Sequence, residues 1–183
     1  MSIIQDLHTV SNDAQLSFAE KLQSLLKIGC NILGLEAGIV SSIQGKRYQV
    51  LAAYTADSSI EKGAVFDLCD TYCADVVATD AVVSYHNIDS SPGATHPCFE
   101  KFTLKSYLAC PVRVNGEFFG TVNFSSTTSR EAPFTSIELD YLLLLASWIG
   151  NELEKQQVID KLKAQKTVLE ERNSLLLQIT NLA

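Results

Sequence analysis

The sequence predicts an α+β domain built on antiparallel strands and followed by one long helix. Three observations support this fold class. The spacing of apolar residues changes from helical to alternating at about residue 35. An Asn115-Gly116 pair separates two apolar runs, which is typical of a β-hairpin turn. No glycine or proline follows Gly150, so helix-forming sequence continues almost to the C-terminus.

The first third of the chain predicts helices followed by an antiparallel hairpin. Residues 12–34 carry apolar side chains on one helical face, and Ser11 or Asn12 is suited to the N-cap. A shorter helix is expected over residues 2–9. The hairpin strands are expected at residues 37–43 and 48–54, with the turn at Gly45-Lys46.

The middle of the chain, residues 63–102, is of mixed character. Asp70 is a suitable N-cap for a helix that ends at about Ala78. The segment from Asn87 to Pro97 is rich in Asp, Ser, Pro and Gly, which predicts a loop. Short strands are expected at residues 65–68 and 82–86, and a helical turn at residues 98–102.

A second hairpin follows, with strands expected at residues 106–114 and 118–125. An Asn-Gly pair places both turn residues at positive φ at little steric cost, so the turn prediction is specific. Bulky side chains occur at both odd and even positions of these strands. A sheet with this pattern is expected to be covered on both faces.

The C-terminal helix is predicted to end in a dimeric coiled coil. Thr135 and Glu138 form a capping-box pattern that begins a helix running to about Thr180. From residue 159 the apolar positions follow a heptad, and an Asn at an a-position favours one register in a parallel dimer. A solvated tail without a partner is the alternative. The candidate dimer residues are Ile159, Leu162, Leu169, Asn173 and Leu176.

Composition limits the class of protein. The 183 residues are 46% hydrophobic and 19% charged, which suits one domain with an accessory element. The formal net charge of -7 argues against a nucleic-acid partner. No apolar run could span a bilayer, and the N-terminus lacks a signal-peptide pattern, so we expect a cytoplasmic protein. Its predicted parts are an N-terminal helical extension (1–11), a sensory domain (12–150) and a signalling helix (151–183).

Five sequence segments carry a resemblance to a known family. They are Phe66 to Cys73, His96-Pro97-Cys98, Ser106 to Pro111, Val114 to Phe124 and Ala146 to Gly150. Together with the order of elements, they resemble the GAF domain, most closely the GAF domains of bacterial, often cyanobacterial, sensor histidine kinases. The resemblance implies about six antiparallel strands, with terminal helices on one face. It also implies a ligand cavity between the other face and residues 63–102.

The resemblance further implies a regulatory module without catalytic chemistry. It would bind an unidentified small molecule and pass its state through a dimeric C-terminal helix to an output domain or a partner kinase. We expect no metal site and no catalytic residue in this chain. The pocket candidates are Phe66, Tyr72, Cys73, Val76, Tyr85, His86, His96, Cys98, Phe102 and Tyr107.

A bilin photoreceptor is one alternative. In bilin-binding relatives, a cysteine near the place of Cys98 forms a thioether to the pigment. The segment from Glu61 to Cys98 nevertheless holds six acidic side chains and one lysine, a formal charge of −5. A bilin cofactor is therefore disfavoured, because its propionates would need cations from outside this segment. Candidates for those cations are Lys101, Lys105 and Arg113.

A thiol-based redox sensor, or an enzyme like the methionine sulfoxide reductases of the family, is another alternative. Cys69 and Cys73 are four residues apart and would share a helical face. A helical pair at this spacing rarely has disulfide geometry, and the spacing is not the common one for zinc. We therefore expect the five cysteines to be reduced thiols, mostly buried as small apolar groups.

Overall fold

The computed structural model describes residues 3–181, and its core is a six-stranded antiparallel sheet with strand order β3-β2-β1-β6-β5-β4. This confirms the predicted fold class. The strands are Ala37–Gln44 (β1), Arg47–Thr55 (β2), Val65–Asp67 (β3), Val83–Tyr85 (β4), Ser106–Val114 (β5) and Glu117–Ser126 (β6). The helices are Ile3–Ser11 (α1), Phe18–Leu33 (α2), Cys73–Thr79 (α3), Pro97–Phe102 (α4) and Ser136–Asn181 (α5).

Both faces of the sheet are covered, as the side-chain pattern of the second hairpin predicts. On β6, Val122 and Phe124 point into an apolar cluster formed with α2 and α5. A second apolar cluster lies on the opposite face, under the segment that contains α3 and α4. Successive residues of a strand point to opposite faces, so β6 serves both clusters at once. The Asn115-Gly116 turn has positive φ at both residues, which confirms the predicted hairpin.

The helical layer packs tightly on the sheet because glycines leave room for Phe124. A Cβ at Gly29 on α2 or at Gly38 on β1 would collide with the Phe124 ring. Tyr141 of α5 lies in the same cluster and donates a hydrogen bond from its hydroxyl to the carbonyl of Leu25, at 2.8 Å. These contacts join α2, α5 and the centre of the sheet into one core.

Helix α5 begins at the predicted capping box and is 46 residues long, about 69 Å. The Glu138 backbone N–H donates to the Thr135 hydroxyl, and the Thr135 backbone N–H donates to the Glu138 carboxylate. Its first turns pack on the sheet, whereas residues 155–179 are exposed along their whole length. The chain therefore has a single helix that begins in the domain core and continues well beyond it.

Three contacts fix α5 against the β5–β6 hairpin. At Gly150 the helix approaches β5 so closely that a Cβ would collide with the carbonyl oxygen of Arg113. One turn further on, the backbone N–H of Asn115 donates to the Glu154 carboxylate. The Asn115 side-chain amide also donates to Gln157, at 3.1 Å. We call these contacts the hairpin clamp.

Two predicted helix starts were wrong. Helix α2 begins after Ser17, because Ser17 and Glu20 form a capping box, and residues 12–17 form a separate turn. Asp70 does not cap α3, which begins at Cys73. Asp67 accepts from the Cys69 N–H and caps a 3₁₀ turn that intervenes before the helix.

We predict that Gly150→Ala lowers the free energy of unfolding by about 1–3 kcal/mol, because the added methyl group forces α5 away from β5. Urea denaturation measures this change. Ser147→Ala, at an exposed position of the same helix, is the control and should change stability by less than about 0.5 kcal/mol. Helix propensity alone would make Gly150→Ala stabilising by about 1 kcal/mol, and that result would contradict the predicted collision.

Candidate ligand pocket

A cavity of about 100 Å³ lies between the sheet and the segment from Ile60 to Leu104, which we call the pocket wall. It lies on the face of the sheet opposite the α2–α5 layer. Its lining is almost entirely apolar, with a few polar groups on the sheet side. Six of the candidate residues predicted from the sequence line it: Phe66, Tyr72, Cys73, Cys98, Phe102 and Tyr107.

The other four candidates do not line the cavity. Val76 is fully buried behind it. The Tyr85 hydroxyl donates a hydrogen bond to Oδ2 of Asp75, at an O–O distance of 2.9 Å. His96 caps α4 by accepting from the Cys98 N–H, and its ring lies 4.9 Å from the ring of Tyr72. His86 contributes a backbone carbonyl that accepts from the Arg130 N–H.

The floor of the cavity belongs to the sheet and was not predicted from the sequence. Asn123 and Ser125 of β6 line it, as do Ile39 of β1 and Tyr48 of β2. The alternation along β6 contained this information, because Asn123 and Ser125 lie opposite in parity to Phe124. The remaining lining residues that were not predicted are Ile60, Thr71 and Leu104.

A hydrogen-bonded cluster lies beneath the floor, around Cys73. The Cys73 Sγ atom is 3.1 Å from the Tyr107 hydroxyl and 3.2 Å from the Thr121 hydroxyl. Thr121 in turn pairs with the Ser41 hydroxyl at 2.9 Å. The Asn123 amide donates to the Tyr48 hydroxyl at 3.0 Å. These bonds compensate the burial of polar groups and hold β1, β2, β5 and β6 in one register.

The ionisable groups of this cluster are neutral at physiological pH. Burial raises the pKa of the Cys73 thiol. Burial also holds the pKa of Tyr48 and of Tyr107 well above the usual range for tyrosine, and the nearby Cys73 adds to the effect. The floor of the cavity therefore presents neutral polar groups and no charged group to a ligand.

Aromatic side chains from the sheet and from the pocket wall surround the floor. The rings of Phe66 and Phe102 meet edge to face, with centroids 5.8 Å apart. The centroids of Tyr72 and Tyr107 are 5.2 Å apart. Tyr72 also donates from its hydroxyl to the Gly93 carbonyl at 3.0 Å, which ties α3 to the 3₁₀ turn before α4. Such a frame suits a flat or apolar ligand.

The three cations that a bilin would need are already paired with acidic side chains. Lys101 pairs with Asp70, Lys105 with Asp89, and Arg113 with Asp80. All three acids belong to the segment with the formal charge of −5. Among residues 3–181, no lysine, arginine or histidine lines the cavity itself.

Four of the five cysteines are buried, and Cys69 is exposed. Cys98 lines the cavity, and burial raises the pKa of its thiol to about 12. Cys30 and Cys110 lie in the helical layer, where burial again raises the thiol pKa to about 12. Within residues 3–181, no cluster of three or more His, Cys, Asp or Glu side chains is arranged to hold a metal ion.

Within residues 3–181, no helix combines the length and the apolar character that crossing a bilayer requires. Helix α5 is long enough but too polar.

A sheet with helices on one face and a walled cavity on the other defines a class of sensory domain. Comparison with family models identifies the family: the GAF domain model matches residues 15–154, and the chain belongs to this family. This confirms the resemblance seen in the sequence. A comparison with curated proteins found no match.

Solved structures support the same fold. The GAF domain of a phosphoenolpyruvate-protein phosphotransferase from Acinetobacter has a TM-score of 0.68 and 13% identity, covering 88% of this chain and 99% of that one. The PixJ GAF domain of Thermosynechococcus elongatus, in its blue-light-absorbing form, has a TM-score of 0.61 and 16% identity, covering 90% and 95%. The phycocyanobilin-bound GAF domain of a cyanobacterial phytochrome has a TM-score of 0.66 and 13% identity, covering 86% and 97%.

We predict that iodoacetamide at pH 8 labels Cys69 of the folded protein and leaves the other four thiols unmodified. The buried thiols remain protonated because their raised pKa lies above the working pH, and only the thiolate reacts. Peptide mass spectrometry locates the label, and Cys69→Ser should remove it. Fast labelling of Cys98 would contradict the burial described above.

Proposed function

We propose that this chain is a regulatory sensory module, which binds a small molecule in the cavity and relays its state through a dimeric α5. GAF domains are generally regulatory, and that coarser role follows from family membership. The single observation that carries the finer proposal is the continuity of α5. The helix that packs on the sheet is also the helix that leaves the domain.

The exposed half of α5 is suited to pairing with a second copy. Apolar side chains on this half are 41–65% exposed, which is unusual for a helix that remains in water. Ile159 occupies an a-position, and Leu162, Leu169 and Leu176 occupy d-positions of the heptad. Lys166 and Asn173 occupy the other two a-positions, and Asn173 would favour a single register. Residues 151–183 hold five acidic and five basic side chains, so two copies of this segment would not repel each other strongly.

The structure offers a physical route from the cavity to this helix. The cavity floor includes Tyr107 of β5 and Asn123 of β6. The same two strands end in the turn whose Asn115 belongs to the hairpin clamp on α5. A ligand that shifts the floor would therefore shift the turn, and the clamp would pass that shift to the base of the proposed coiled coil.

We further propose that the output is a histidine kinase or a similar regulator, joined to this helix or supplied by a partner, and that the protein acts in the cytoplasm. Support comes from the resemblance to GAF domains of sensor kinases in the segments named above. Similar structures show that this fold occurs in a phosphoenolpyruvate-protein phosphotransferase and in the blue-light-absorbing PixJ.

The alternative functions have weaker support. Cys98 lines the cavity, which favours a bilin attached there, but a cavity of about 100 Å³ is small for a tetrapyrrole and its nearby cations are paired. A thiol redox function would use Cys69 and Cys73. Only Cys69 is exposed, whereas the Cys73 thiol is buried in the polar cluster.

We predict that the double variant Leu162→Lys/Leu169→Lys is monomeric at concentrations where the unchanged chain is a dimer, because two lysines would enter each side of the coiled-coil seam. Light scattering coupled to size-exclusion chromatography measures the mass. Ala164→Lys/Thr167→Lys, at outer heptad positions, is the matched control and should remain dimeric. A monomeric unchanged chain, or equal dissociation of both variants, would contradict the proposal.

A further inference from the structure

We propose that the cavity binds a neutral molecule of about one ring through an N–H donor on that ring, with Asn123 and Ser125 as the recognising groups. This inference rests on the proposed function and deepens it by naming the class of ligand. It is carried by the size of the cavity, by two unpaired polar groups on its floor and by the absence of a charged side chain in its lining.

The size of the cavity sets an upper limit on the ligand. A cavity of about 150 Å³ in a protein core accommodates one benzene molecule. The cavity here measures about 100 Å³, so it admits one small ring. Drug-sized ligands occupy pockets of about 300–1,000 Å³, and dinucleotides or linear tetrapyrroles fall in or above that range.

Asn123 presents an acceptor whose orientation is fixed. Its side-chain nitrogen donates both hydrogens, to the Tyr48 hydroxyl at 3.0 Å and to the Cys73 sulfur at 3.5 Å. An amide nitrogen has no further hydrogen to offer, so these two bonds settle which way the carboxamide faces. Its oxygen Oδ1 then has no hydrogen-bond partner among residues 3–181. Asn123 is only 4% exposed and lines the cavity.

Ser125 lies two residues further along β6, on the same face. It is 6% exposed, lines the cavity, and its hydroxyl has no hydrogen-bond partner in the described part of the chain. Within residues 3–181, the fully buried side-chain atoms without a partner are Thr55 Oγ1 and Asn87 Oδ1, so the unpaired oxygens of Asn123 and Ser125 remain accessible from the cavity. Asn123 Oδ1 can accept a hydrogen bond and the Ser125 hydroxyl can donate one. Together they match a ring that carries an N–H donor beside an acceptor atom.

The charges around the cavity favour a neutral ligand. An anion would meet no cation in the lining, and Lys101 is held by Asp70 outside it. A cation would meet no carboxylate either, since no Asp or Glu of residues 3–181 lines the cavity, and nearby Asp75 accepts a hydrogen bond from the Tyr85 hydroxyl. Transfer of an ion into such a site is costly, whereas a neutral ring is favoured by the aromatic frame.

The experiment uses the full chain and two five-membered rings of equal size. Pyrazole carries an N–H donor beside an acceptor nitrogen, and isoxazole replaces that N–H by oxygen. Titrations followed by ¹H–¹⁵N NMR should show saturable shifts of β6 amides with pyrazole and at least tenfold weaker binding of isoxazole. Pyrazole-4-carboxylate, an anion, and pyrrolidinium, a cation, should not bind.

Variants test the two recognising residues. Asn123→Leu should weaken pyrazole binding at least tenfold and leave isoxazole binding unchanged or stronger. Asn151→Leu, the same chemical change at an exposed position of α5, should have no effect. Ser125→Ala is a milder change that keeps the test valid if Asn123→Leu does not fold, and it should weaken pyrazole binding severalfold.

Three results would overturn the inference: no saturable binding of pyrazole, equal binding of isoxazole, or stronger binding of either ion. None of them bears on the proposed dimeric helix, whose own test is the mass of the Leu162→Lys/Leu169→Lys variant. An unchanged chain that is monomeric but still recognises pyrazole would conversely contradict the dimeric relay and leave the ligand class standing.

Discussion

The two-residue alternation along β6 is the constraint on which the rest of the structure depends. Phe124 fills the space left by Gly29 and Gly38 and thereby anchors α2 and α5 to the sheet. Its neighbours Asn123 and Ser125 point the other way and form the floor of the cavity. A shift of β6 by one residue would bury the polar groups among the helices and expose Phe124 to the cavity. The core and the pocket are therefore specified together.

The same strand joins the pocket to the exit helix. The bonds of Asn115 to α5 lie at the end of the hairpin that contains β6, and Gly150 brings helix and strand into backbone contact. Under the proposed function, a ligand in the cavity would act on α5 through this link. The long wall segment is held by separate contacts, such as the hydrogen bond from Tyr72 to Gly93.

The sequence predicted the architecture well where local chemistry decides it. The Asn115-Gly116 turn, the Thr135–Glu138 capping box and the length of α5 each depend on residues close in the chain. It predicted the pocket wall in part, since its aromatic and cysteine residues are conspicuous. It did not predict the floor, because Asn123 and Tyr48 meet only through the sheet, across 75 positions of the chain.

The pairing of Lys101, Lys105 and Arg113 with aspartates could not be predicted from neighbouring residues in the sequence either. Those pairs form between elements that are distant in sequence. They pair three of the wall's acidic side chains at the surface, and no charged side chain of residues 3–181 lines the cavity. The cavity therefore disfavours a cationic ligand as well as an anionic one.

Hydrogen exchange of the full chain, with and without saturating pyrazole, tests most directly whether the cavity and the exit helix are coupled. The account predicts slower amide exchange in β6, in the turn at Asn115-Gly116 and in α5 over residues 150–158, because the hairpin clamp joins all three. Slower exchange confined to β6 and the pocket wall, with α5 unchanged, would contradict it.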